Sequence, residues 1–108
     1  MSVNRLVVQS PMNQGETEIV SYVFDFTNWG GSPVSPLVKV WQGTSGSWAD
    51  VTSAYMPSGS PSANGNYVTC QPMRNVQENR SYLVICTVTL NNGVGNTEAA
   101  KLEVIGEK

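Results

Sequence analysis

Ser81 to Leu90 (SYLVICTVTL) runs ten residues without a charge, and no other stretch limits the fold as much. At the edge of a sheet so apolar a strand would recruit other chains, so it is expected at the centre with a partner on each side. Alternation assigns Tyr82, Val84, Cys86, Val88 and Leu90 to one face, and that face goes to the core. Asn91 to Asn96 then reads as a hairpin loop. Thr97 to Ile105 returns as the last strand, with Ala100, Leu102 and Val104 facing in and Lys101 and Glu103 facing out.

Earlier segments supply further strands. Arg5 to Gln9 reads as the first, closed by Ser10-Pro11, and Met12 to Gly15 as a polar connection. Glu18 to Phe26 alternates, placing Val20, Tyr22, Phe24 and Phe26 on the core side. Trp29 to Pro33 breaks the chain, and Pro36 marks the entry to a third strand over Leu37 to Gln42. Gly43 to Trp48 is expected to be loop and Asp50 to Tyr55 a short fourth strand. Pro57 to Asn66 is expected to be irregular, with a tight turn at Asn64-Gly65. Tyr67 to Cys70 resumes as a strand, and Gln71 to Asn79 connects it to the uncharged run. Short strands at this spacing predict an all-β sandwich of about seven strands, with residues 1–108 as one domain.

Charged residues are only 13% of the chain, against about 25% in an ordinary soluble domain. The six basic residues, Arg5, Lys39, Arg74, Arg80, Lys101 and Lys108, are scattered and form no phosphate-neutralising cluster, so nucleic acid is not an expected partner. No apolar run reaches the roughly 18 residues of a membrane span, and the first residues lack the apolar stretch of a secretory signal. Synthesis in the cytoplasm without membrane attachment is therefore expected, and with it free, buried thiols at Cys70 and Cys86.

Gly59 to Val104 carries a likeness. Gly65-Asn66-Tyr67-Val68-Thr69, the run from Tyr82 to Thr89, Asn92-Gly93 and Leu102-Glu103-Val104 resemble the C-terminal half of immunoglobulin-like modules of bacterial and phage proteins. The resemblance covers under half of the chain and extends to fibronectin type III domains. The mid-chain Asp50-Val51-Thr52 turn is similar to that of short structural proteins encoded by tailed phages. What the resemblance implies is an immunoglobulin-like antiparallel β-sandwich acting as a structural or adaptor module, with the virion as one destination. The chain departs from antibody domains in its cysteines, since the second strand has none and Cys86 lies four residues after Tyr82.

Chemistry-bearing patterns are sparse. With no His, neither Ser-His-Asp nor Cys-His catalysis nor an imidazole zinc site can form, and two Cys do not close a zinc site. The carboxylates never take the spacing of a calcium loop, and Gly30-Gly31 and Gly93-Val94-Gly95 lack the Lys of a phosphate loop. No enzyme activity, cofactor or metal is expected. Asn79-Arg80-Ser81 matches a glycosylation sequon, which has no role without secretion.

The candidate binding residues are Trp29, Trp41, Trp48 and Tyr55, which gather in and around the loops flanking the third strand. Folded over, they plug one end of the core; exposed, they stack on sugar rings. The expected function is docking on a protein partner or on copies of the same chain, with carbohydrate binding as the alternative.

Three side chains test the register. Tyr82 should be buried with its hydroxyl on a backbone group of the preceding connection, as in the tyrosine corner of Greek-key sandwiches. An immunoglobulin analogy would bury Trp41 on the third strand. Parity objects: Trp41 inward takes Lys39 inward too, and an unpaired buried ammonium costs several kcal/mol. Val38 and Val40 are therefore expected in the core, Lys39 in solvent and Trp41 on the outer face.

Overall fold

Alternation carries through the uncharged run, which forms β8 (Ser81–Asn91): Tyr82, Val84, Cys86, Val88 and Leu90 are buried and the residues between them are not. The computed structural model describes residues 3–7, 10–44 and 47–108. On one side of β8 lies β9 (Thr97–Glu107), with Tyr82 opposite Val104 and Val84 opposite Leu102. On the other lies β4 (Ser32–Thr44), with Val40 opposite Val84 and Val38 opposite Cys86. With β2 (Met12–Gly15) and β5 (Ser47–Asp50) these make a five-stranded sheet, ordered β2-β9-β8-β4-β5, and β8 is its central strand.

A second sheet, ordered β1-β3-β7-β6, combines β1 (Val3–Leu6), β3 (Val20–Asp25), β6 (Ser62–Asn64) and β7 (Tyr67–Thr69). Val20, Tyr22 and Phe24 of β3 and Val68 of β7 join Val38, Val84, Leu102 and their neighbours in one apolar cluster between the sheets. Each such side chain contributes about 1.5–3 kcal/mol by leaving water. The fold is thus all-β, with a sandwich-like pair of sheets.

The expected strand list needs correction. Among the described residues there are nine strands, and both sheets are mixed: β1 runs parallel to β3, and β2 parallel to β9. Met12 to Gly15 is a strand, not a polar connection, because Gln14 is buried there with its amide satisfied. Its Nε2 donates to the carbonyls of Met73 (2.8 Å) and Glu18 (3.2 Å), and its Oε1 accepts from the Tyr22 hydroxyl (2.8 Å). Hydrogen bonds to these partners offset the cost of taking the amide out of water. The first strand starts at Val3, before the expected Arg5, and ends at Leu6, with Val8 and Gln9 of the expected range outside the described residues.

Strand β4 begins well before Leu37 despite Pro33 and Pro36. Only residues 41–44 of it pair with β5, so its first half is an edge, where a missing N–H costs little. One extra residue sits between Val34 and Leu37, where Ser35 has φ 51°, a β-bulge that resets the phase of the strand. Past it the register through residues 37–42 is unbroken, so Val38 and Val40 are buried, Lys39 is exposed and Trp41 stands on the outer face.

The segment expected to be loop at 43–48 instead forms a hairpin arm between β4 and β5, with 45–46 outside the described residues. The expected fourth strand stops at Asp50, whose Oδ1 accepts from the Thr52 amide (3.0 Å) and hydroxyl (2.6 Å), turning the chain into one helical turn, α1 (Thr52–Tyr55). The Pro57 to Asn66 stretch, expected to be irregular, contains strand β6, which pairs with β7 across Gly65-Asn66, with Gly65 at φ 62°.

Two close contacts fasten the connection between β7 and β8 to the five-stranded sheet. The Gln77 amide donates to the Tyr82 hydroxyl at 2.9 Å, the anchor expected of that residue. Gln77 also crosses directly over Gly106, where a Cβ would overlap its carbonyl, so the strand has room only for hydrogen. Both cysteines are buried and unpaired. No helix among the described residues is long and apolar enough to cross a membrane.

Candidate functional site

The four aromatic candidates separate into three places. Trp29 sits in the turn before β4, its ring edge-on to Phe26 at 4.8 Å, and is 38% exposed. Trp41 lies far along β4, eight strand steps beyond its first residue Ser32 or about 26 Å at 3.3 Å per residue. Tyr55 is buried under the inner face of the sheet, 4.6 Å from the Tyr82 ring, and its hydroxyl donates to Gln42 Oε1 at 3.3 Å. It plugs the core.

Trp41 and Trp48 are brought together. Trp41 is opposite Asp50 and Gly43 opposite Trp48, so the two indoles are diagonal neighbours on the outer face of the five-stranded sheet. Gly43 makes room for Trp48: a Cβ there would stand 3.0 Å from two carbons of the indole. An aromatic laid over a strand glycine covers backbone that would otherwise be bare.

Register extends this face across the sheet. Trp41 is opposite Leu83, Lys39 opposite Ile85 and Leu37 opposite Thr87. Beyond them Glu103 faces Leu83, Lys101 faces Ile85, and Ile105 faces Ser81. Leu83, Ile85, Ile105 and Trp41 are half-buried, whereas Leu37 is 55% and Trp48 56% exposed. The result is an apolar strip carrying two cations and two carboxylates. Sequence reasoning missed Leu37, Leu83, Ile85 and Ile105 as surface residues of interest. The signal was present, since SYLVICTVTL is apolar at both parities around Leu83 and Ile85, which is what a strand needs when both its sides are to be covered.

Electrostatics on the strip are mild. Lys39 Nζ lies 3.7 Å from Asp50 Oδ2, an exposed pair of the kind worth little by itself. The Thr52 hydroxyl, then the Thr52 amide, hold the Asp50 carboxyl below its ordinary range. The Thr52 hydroxyl also accepts from the Val40 amide at 2.9 Å, tying Asp50 to the β4 backbone. Among the described residues no pocket opens, and no group of three or more Cys, Asp or Glu gathers in metal-ligand fashion. What the face offers a ligand is flat apolar area bordered by fixed charges. Comparisons with protein-family models, with curated proteins and with solved structures find no match for the chain.

Proposed function

We propose that this chain is a non-catalytic, immunoglobulin-like docking module that engages a protein partner or its own copies through the outer face of the five-stranded sheet. The observation that supports the reading is the strip formed by Leu37, Trp41, Trp48, Leu83 and Ile85, since contiguous exposed apolar area on one sheet face marks an interaction surface. The order β2-β9-β8-β4 opposite β3-β7, with Tyr82 held by a backbone amide, favours the immunoglobulin-like assignment. A role as a head or tail accessory of a virion rests on the residue likeness alone.

The test compares affinity capture from the native host by the wild-type chain, by Ile85→Glu on the strip and by Thr69→Glu on the opposite outer face. A protein retained by the wild type and by Thr69→Glu but lost by Ile85→Glu supports the reading; equal capture by all three contradicts it. Trp41 and Trp48 side by side keep the carbohydrate alternative in play. Quenching of their fluorescence by a glycan, abolished by Trp48→Ala, would favour it.

A further inference from the structure

Edge strands offer unpaired backbone groups; the first half of β4 is blunted by its bulge and two prolines, and the four outermost strands among the described residues are not equally open. On β2 the Arg5 Nη1 donates to the Asn13 carbonyl at 2.9 Å and occupies the edge. Strand β6 is three residues long and follows Pro61. Strand β1 borders the other sheet, whose outer side mixes Asn4 and Thr69 with Leu6 and Val23, and its Arg5 is tied across to β2. Strand β5 has all four residues exposed and continues the apolar strip through Trp48.

The outward-facing groups of β5 follow from its pairing. The Val51 amide donates to the Val40 carbonyl at 2.9 Å, so in the register that sets Gln42 against Ala49, residues 47, 49 and 51 bond to β4. The N–H and C=O groups of Trp48 and Asp50 therefore point away from the sheet.

We propose that β5 pairs antiparallel with β5 of a second copy about a two-fold axis at Ala49, joining two five-stranded sheets into one of ten strands; this rests on the reading of the chain as a docking module. Trp48 then lies opposite Asp50 of the other copy, and the four outward N–H groups meet the four outward carbonyls in two hydrogen-bonded pairs. The two Trp48 rings become diagonal neighbours about 7–8 Å apart, within reach of one another. The two Asp50 carboxylates are diagonal neighbours as well. Each already has a Lys39 ammonium 3.7 Å away, so like charges are compensated before the copies meet. A contact this short falls in the small, weak class of interface, and the dimer is concentration-dependent rather than obligate.

The experiment follows amide hydrogen exchange by NMR in the full chain across a concentration series, with sedimentation velocity in parallel. Dimer should form as concentration rises, and the amides of residues 48 and 50 should slow by about tenfold. The amide of residue 49, bonded to β4 in either state, should not change. Trp48→Glu, shown folded by its thermal melt, places a carboxylate against Asp50 of the other copy and should be monomeric throughout. Leu37→Glu, on the strip but away from the edge, should still dimerise. A chain that stays monomeric at every concentration overturns the pairing, and so does a dimer that persists in Trp48→Glu. A dimer with residues 48 and 50 unprotected and lost in Leu37→Glu also overturns it, while leaving the face as a docking surface.

Discussion

On β8, Tyr82, Val84, Cys86 and Val88 look inward and are buried, while Leu83, Ile85 and Thr87 of the same strand look outward and are only half covered. Both sides are apolar. Alternation decides which side a residue takes, but what lies opposite decides how dry it is. The inner side meets β3 and β7 and becomes a core; the outer side meets no other element among the described residues and remains a surface. The difference gives each side its own experimental signature, one in stability and the other in association.

The largest expected effect separates the sides by pH. Between the sheets, burial pushes Tyr22 and Tyr82 from 10.0 up to about 12 and Cys86 from 9.0 up to about 12, and it raises Cys70 as well. The fold favours the protonated form of each. Their contribution is fully present below the unfolded values and is lost as pH rises through the folded ones, a window from about 9 to about 12. Circular dichroism should therefore show the sheets melting within that window at room temperature. A native spectrum persisting above it would mean that these groups ionise without cost.

A pair of truncations sharpens the contrast. Leu102→Ala, on the inner side, should cost about 2–5 kcal/mol in urea unfolding, since it removes buried methyl groups and leaves a cavity. Leu83→Thr, one strand over on the outer side, should stay within about 0.5 kcal/mol. Equal costs would show that the outer side is covered after all. Between these two falls the hydroxyl anchor: Tyr82→Phe should cost about 1 kcal/mol, and a change indistinguishable from zero would remove Tyr82 from any anchoring role.

Parity and apolar run length proved legible in advance. The burial of Val38 and Val40, the exposure of Lys39 and the outward Trp41 all follow from the cost of an unpaired ammonium in a core. The central place of β8 follows from its lack of charge. Segments whose conformation depends on distant partners were not legible. Gln14 looked like a polar connection because the carbonyl that satisfies its buried amide, that of Met73, is remote in sequence. Residues 47–48 looked like loop because their strand character comes from pairing with 43–44, not from the Gly/Ser-rich sequence around them. The candidate site divided the same way: proximity in sequence grouped Trp29 with Trp41, and the length of β4 pulled them apart.

The extra residue between Val34 and Leu37 gives β4 two reading frames. Before it the odd-numbered Pro33 is buried; after it the even-numbered Val38 and Val40 are. Losing Ser35 or Pro36 would make the frames one with neither half inverted, since Val34 would still lie opposite Thr89 and Leu37 opposite Thr87. A chain of the present length that paired without the bulge would slip by one in its second half: Lys39 and Trp41 would enter the core and Val38 and Val40 would leave it. At this point in the chain, one residue of extra length therefore decides which face Trp41 takes.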